Sequence, residues 1–286
     1  MKMIMNHKSV VSVKGILVLM MAISLLSCSK DDDSIITHSE NNILSLSVIP
    51  GSWDDSSNAV NETRASYSSI TESSNGNKTF TFSFTSGDAI GLFALDETGK
   101  VVLANEKWTY SGSKWTTDSP MEYISTLRNY TFFAYYPWVS SLSGAPALNS
   151  TPNISTALNF FSDAITAWTP AADQGSLEKF TAQDFMVAKG TVTTPYFHEV
   201  QVAFTMARQM GLLVTKSTLS YYDFDNPSDT WTVPQVFSPN VPYTFNGLCY
   251  YIAKPGVATT LGSKTATVQK MQVEQLYFTN GEPGSR

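Results

Sequence analysis

Side chains that could do acid–base or metal chemistry are few in this sequence of 286 residues, which holds three histidines and two cysteines. His7 lies in the N-terminal apolar region, His38 lies in a polar stretch, and His198 stands alone beside aromatic neighbours, as packed structural histidines do. The sequence has no phosphate-binding glycine loop, no nucleophile elbow and no paired-histidine zinc motif. We therefore predict that the protein is not an enzyme and takes no cofactor.

One loop offers oxygen ligands for a metal. Its side chains are spaced as Ca²⁺ ligands can be in a loop, but they do not complete an EF-hand pattern. A solvated acidic loop is the better interpretation, so we predict no metal site. The residues are Asp223, Asp225, Asn226 and Asp229.

Cys28 supports a different chemistry, the attachment of a lipid. Residues 15–26 form a twelve-residue apolar run after three lysines, and this run is too short to span a bilayer comfortably. It ends in Leu25-Leu26-Ser27-Cys28, which looks like a bacterial lipobox. We predict that residues 1–27 are a lipoprotein signal peptide and that lipid on Cys28 anchors the chain to the outer membrane. The alternatives are an ordinary signal peptide with a chance cysteine and an uncleaved anchor helix.

The residues after Cys28 are polar and acidic. Residues 28–42 contain the run Ser29-Lys30-Asp31-Asp32-Asp33, which is typical of a flexible, solvated tether. This run also resembles the short acidic export signals of surface lipoproteins in Bacteroidota, so we expect display on the cell surface. The second cysteine, Cys249, lies in the apolar run 248–252 and is expected to be a small buried hydrophobe.

Composition and periodicity favour strands over helices. Charged residues make up 15% of the chain and aromatic residues 12%, and the 24 acidic against 18 basic residues argue against a nucleic-acid partner. Residues 43–49 alternate, with Leu44, Leu46 and Val48 on one face, and no helix-period stretch exceeds about ten residues. Other strand-like runs are 80–84, 89–95, 101–103, 108–110, 115–116, 130–136, 200–206, 211–215, 248–252 and 265–278. This spacing is typical of an all-β sandwich.

Several aromatic residues could instead form an exposed face that stacks on sugars. Aromatics inside strand patterns are more often core, but the pattern leaves a carbohydrate-binding surface lipoprotein open as an alternative. The residues are Trp108, Trp115, Tyr135, Tyr136 and Trp138.

Arg64 lies in the long polar segment between the first two strand-like runs. It is the only one of the four arginines that precedes Arg128. Exposed polar loops are where proteolysis concentrates, and a trypsin-like cut after Arg64 would separate the strand at 43–49 from the rest. The alternative is a plain loop arginine.

Five segments in order resemble the fimbrillin family, the subunits and anchors of the type V pili of Bacteroidota. They are 62–65 (ETRA), 87–94 (GDAIGLFA), 105–115 (with WTYSG inside), 130–137 (YTFFAYYP) and 184–188 (DFMVA). Each motif alone is weak, but their order over about 130 residues makes the resemblance fairly specific.

The resemblance implies two transthyretin-like β-sandwich domains, the second short or incomplete. It also implies cleavage after Arg64 by a trypsin-like protease, so that the processed chain begins at Ala65. Loss of the strand with Leu44, Leu46 and Val48 would open an apolar groove, which a strand of another subunit would fill. The expected partners are other fimbrial subunits and a surface receptor whose identity stays open. An uncleaved fimbrial anchor is the alternative.

The predicted domains are 43–195 and 196–286. Two features depart from the family pattern. Residues 204–210 lack the histidine that members often carry there, and the part after residue 196 is short for a complete second sandwich. Either the second domain is abbreviated or the sequence ends before the domain does.

Overall fold

The computed structural model describes residues 44–51, 68–72, 78–81, 83–119, 127–194, 200–222, 226, 228, 230–268 and 273–275. They belong to one unit, residues 41–286. The predicted signal peptide, the tether, Arg64, Ala65, His198 and the three aspartates of the acidic loop lie outside the described residues.

A six-stranded antiparallel sheet is the largest element. Its two central strands are almost continuously buried, because other elements cover both faces of the sheet. Strands covered on both sides need apolar residues at successive positions, which agrees with the sequences AIGLFAL and TFFAYY. Across the sheet the strands are β11 (Ala207–Arg208), β8 (Met186–Lys189), β7 (Thr131–Tyr136), β4 (Ala89–Leu95), β5 (Val101–Tyr110) and β6 (Trp115–Thr116).

A three-stranded sheet covers one face of the six-stranded sheet. It contains β1 (Leu44–Ile49), β10 (Val200–Thr205) and β9 (Thr191–Thr193), with β10 in the middle. Because the side chains of β10 are buried at every second position, one of its faces packs inward. The two sheets share one core, whose members include Ile90, Leu92, Trp108, Trp115, Phe132, Ala134, Tyr136, Val200, Val202 and Phe204.

Short helices and a four-stranded sheet cover the opposite face. The helices are α1 (Ala157–Phe160), α2 (Ser162–Ala167) and α3 (Leu177–Thr181), and a 3₁₀ turn spans Leu127–Asn129. The sheet contains β15 (Tyr243–Phe245), β16 (Leu248–Ala253), β12 (Gly211–Lys216) and β19 (Val273–Gln275), in that order. The core between these layers includes Phe93, Phe133, Tyr135, Phe160, Phe161, Phe180, Phe185, Leu212, Val214, Tyr250 and Ile252.

Three hairpins complete the described strands. They are β2–β3 (Ser68–Glu72 and Lys78–Thr81), β13–β14 (Thr218–Tyr222 and Thr230–Pro234) and β17–β18 (Ala258–Leu261 and Lys264–Thr267). The last one contributes Leu261 to a small third core on the far side of the four-stranded sheet.

The side chain of Gln174 completes the edge of β16. Strand β15 pairs with β16 only as far as Tyr250, so the outer edge at Ile252 needs another partner. The amide nitrogen of Gln174 donates to the Ile252 carbonyl at 2.9 Å, and the Ile252 N–H donates to its Oε1 at 2.8 Å. Gln174 is fully buried, so this side chain acts as a strand residue would.

The predicted all-β sandwich fold is confirmed, and the predicted strand at 43–49 is present as β1. The runs 101–103 and 108–110, predicted as separate elements, form the single strand β5, which passes through Asn105 with a left-handed φ of 57°. Cys249 is buried, as expected. The boundary after residue 195 stays a prediction.

Candidate functional site

The structure places three of the sequence-predicted site residues together in β1. Strand β1 pairs in parallel with β10, with Leu44 opposite Val200, Leu46 opposite Val202 and Val48 opposite Phe204. The neighbouring β10–β9 pair is antiparallel, whereas β1–β10 is parallel, as is β12–β19 in the four-stranded sheet. β1 is therefore an added edge strand rather than one arm of a hairpin with β10.

Alternate side chains of β1 enter the core of the sandwich. Leu44 is only 1% exposed, and Leu46 and Val48 are partly buried against the same core. Ile49, which faces the other way, is 50% exposed. A strand of this kind fills apolar pockets at every second position and shows its remaining side chains to solvent.

β10 is the strand beside which β1 lies and with which it pairs. Its residues Val200, Val202 and Phe204 are buried in the core that β4 and β7 also enter. β1 lies at the edge of its sheet, so one line of backbone pairing joins it to β10. That pairing continues past β10, because the Met206 N–H donates to the Ile49 carbonyl at 2.9 Å. Removal of β1 would expose a backbone edge together with an apolar face.

A buried tyrosine, Tyr135, links β7 to β5 in the neighbouring six-stranded sheet. Tyr135 donates a hydrogen bond to Oδ1 of Asn105 at 2.6 Å and accepts one from the Val139 N–H at 3.1 Å. Burial raises the pKa of Tyr135 to about 12. Its ring crosses Gly91, where an added Cβ would lie 2.0 Å from the ring carbon Cε1. Gly91 and Tyr135 belong to two of the segments on which the family resemblance rests, and this contact brings the two segments together.

Tyr136 makes a second polar contact on the face toward β1. Its hydroxyl donates to Oδ1 of Asp88 at 3.1 Å, and Oδ2 of the same carboxylate accepts from the Thr85 N–H at 2.6 Å. Burial, followed by the negative charges of Asp88 and Asp184, raises the pKa of Tyr136 far above its usual value. This tyrosine therefore stays neutral and acts as a hydrogen-bond donor.

Asp184 and Arg208 form a buried ion pair at the edge strand β11. The guanidinium Nη2 lies 2.9 Å from Oδ2 of Asp184, and Nε donates to both carboxylate oxygens. Burial raises the pKa of Asp184, and the Arg208 charge opposes that rise. The sequence patterns do not reveal this pair, since its members lie 24 positions apart.

The sugar-stacking face suggested by the aromatic residues is not present. Trp108, Trp115, Tyr135 and Tyr136 are all core residues, and Trp138 is half-buried with the Lys107 ammonium 4.8 Å from its ring centre. The carbohydrate-binding alternative built on this face is wrong, because the strand periodicity that made the aromatics prominent also points them inward.

Within the described residues no group of His, Cys, Asp and Glu is arranged to hold a metal ion. Among the same residues we find no helix with the length and apolar character needed to cross a membrane.

Comparison with known proteins identifies the family of this chain. Residues 63–236, more than half of the chain, match the sequence profile of a family described as Fimbrillin-like. The chain belongs to the fimbrillin-like family. This membership supports a structural role in a fimbrium at the cell surface.

Two proteins of Bacteroides ovatus are similar to this fimbrillin-like chain. It is 29% identical over 147 residues to a candidate fimbrium tip subunit, Fim1C, of Bacteroides ovatus, covering 51% of this chain and 26% of that protein. The solved structure of a fimbrial protein from Bacteroides ovatus superposes with a TM-score of 0.56 at 20% identity, over 86% of this chain and 50% of that one. The chain thus spans a quarter to a half of the length of these relatives.

Proposed function

We propose that this chain is a fimbrial subunit that is exported as a lipoprotein, cut after Arg64 and polymerised by strand exchange. In this scheme lipid on Cys28 holds the precursor at the outer membrane, and a trypsin-like protease releases residues 28–64. A strand from another subunit then takes the position of β1. The assembled fimbria serves adhesion to a surface receptor.

The observation that carries the proposal is the seating of β1. It is a single edge strand whose contribution to the core comes from Leu44, Leu46 and Val48. Its departure would leave the six-stranded sheet with its own pairing intact, because β1 pairs with β10 and not with that sheet. The empty position on β10 would then offer both main-chain partners and apolar pockets, which are the two requirements of β-augmentation.

The position of Arg64 in the sequence fits a cleavage site that would separate β1 from the rest of the chain. β1 ends at Ile49 and the next strand, β2, begins at Ser68, so Arg64 lies in the segment that connects them. While the segment is intact, β1 remains covalently tethered beside β10 and competes at a high effective concentration. A cut after Arg64 removes this advantage, so a strand from another molecule can compete with β1 on equal terms.

The N-terminus of the assembled protein tests the proposal. We expect fimbriae from the native cell to contain chains that begin at Ala65, as determined by mass spectrometry of intact subunits. The Arg64→Ala variant should stay at the lipidated precursor mass and fail to assemble, whereas Arg128→Ala, which changes an exposed arginine of the 3₁₀ turn, should assemble normally.

Two results would contradict the proposal. Assembled fimbriae that retain lipidated Cys28 would identify the chain as an uncleaved anchor. Normal polymerisation of Arg64→Ala would show that cleavage at this residue is not needed.

A further inference from the structure

Gly51 packs closely against the backbone of Met206 just after the end of β1. It follows β1 by two residues, and its φ is not in the left-handed region, so the backbone conformation alone does not require glycine. The surroundings do require it. An added Cβ at this position would lie 2.4 Å from the carbonyl oxygen of Met206 and 3.3 Å from its carbonyl carbon. Real Cβ atoms essentially never come that close to other atoms, so a side chain here would displace backbone.

The Met206 backbone beside Gly51 has little freedom to move. Met206 is 2% exposed and connects β10, which pairs with both β1 and β9, to β11, which pairs with β8. Arg208, two residues further on, is held by the buried ion pair with Asp184. Strain at position 51 would therefore be relieved by shifting the strand that carries it, and this shift would weaken the bond from the Met206 N–H to the Ile49 carbonyl.

We infer that the groove along β10 selects an incoming strand by a glycine three positions after its last core-facing residue. In β1 the pattern is Leu44, Leu46 and Val48 at alternate positions and then Gly51. The partner is a parallel strand of another subunit with the order apolar-x-apolar-x-apolar-x-x-Gly. This inference rests on the strand exchange proposed above, and it adds the sequence rule by which the groove distinguishes a fitting strand from other apolar strands.

The first test uses the uncut full chain and hydrogen–deuterium exchange at the amide of Met206. In Gly51→Ala we expect this amide to exchange on the order of tenfold faster, because the added methyl group pushes the Ile49 carbonyl away from its donor. Ser47→Ala, which removes a side chain pointing away from the core, should leave the rate unchanged. An unchanged rate in Gly51→Ala would overturn the inference.

The second test uses the full chain cut after Arg64 and peptides of residues 42–53 as competitors for the place of β1. Fluorescence anisotropy of a dye attached to the N-terminus of each peptide reports uptake. The unmodified and Ser47→Ala peptides should bind alike, and the Gly51→Ala peptide should bind about tenfold more weakly or worse.

The outcomes separate the two proposals. Equal uptake of the Gly51→Ala and unmodified peptides overturns the glycine rule but leaves strand exchange standing. If none of the peptides binds, strand exchange is contradicted. The glycine rule depends on strand exchange and fails as well.

Discussion

The β1–β10 edge and the centre of the six-stranded sheet are both made of apolar strands, but different contacts hold them. β4 and β7 each pair on both sides, and two tyrosines of β7 add polar contacts: Tyr135 bonds to Asn105 in β5, and Tyr136 bonds to Asp88 just before β4. β1 pairs on one side and enters the core with alternate side chains. One chain therefore combines a sheet that is paired throughout its centre with an edge strand that is paired on one side only. Polar contacts support the register of the first, whereas alternate apolar side chains and one line of backbone pairing hold β1 in the second.

The largest expected effect comes from removing the charge that balances Asp184. Arg208→Leu leaves a buried carboxylate without its counter-charge, and we expect a loss of about 3–5 kcal/mol in the free energy of unfolding at neutral pH. Without Arg208 the folded-state pKa of Asp184 should rise further above its unfolded value. The variant therefore gains stability as the pH falls and Asp184 takes up a proton, so its deficit relative to the original protein should shrink in acid.

Urea unfolding of Arg208→Leu at neutral and acidic pH measures this effect. Lys114→Leu, which replaces an exposed cation in a turn, serves as the control and should change the unfolding free energy by no more than about 0.5 kcal/mol. A deficit of the same size at every pH would show that Asp184 does not carry the effect.

A smaller loss is expected from Gly91→Ala in β4. The added methyl group would overlap the Tyr135 ring and separate it from Asn105, which should lower the free energy of unfolding by about 2–3 kcal/mol. Gly175→Ala is a matched control, because its nearest atom is the end of the Val241 side chain at 3.1 Å. If both variants unfold at the same urea concentration as the original protein, the central sheet is more adaptable than its packing indicates.

The smallest of the three effects, and the most local, is expected in β1. Leu44→Ala should cost about 2 kcal/mol, since the leucine is buried at an edge that can partly relax. Hydrogen exchange should accelerate in β1 and β10 while β4 and β7 keep their protection. Ile49→Ser, on the exposed face of the same strand, should change neither the free energy of unfolding nor the hydrogen exchange of β1 and β10. Loss of protection throughout the sheet in Leu44→Ala would show that β1 and the central sheet open as one unit.

Many of the strands in these two regions can be predicted from the sequence. Alternation at Leu44, Leu46 and Val48 predicts a half-buried strand, and the unbroken apolar runs of β4 and β7 predict strands covered on both faces. Local patterns could not predict that β5 continues through Asn105, because that residue keeps its place in the strand by bonding to the loop after β7. The Asp184–Arg208 pair and the contact between Gly51 and Met206 depend on three-dimensional neighbours that leave no periodic signal.

The buried amide of Gln174 has a consequence for how such a protein avoids aggregation. Any open strand edge can template pairing with an unrelated chain, and a subunit that frees one edge for assembly would be exposed to that risk at the others. By bonding both the N–H and the carbonyl of Ile252, Gln174 closes an edge without adding a strand that could itself be exchanged. An incoming strand would therefore find both backbone groups of Ile252 already bonded, and this stretch of β16 is protected from unplanned pairing.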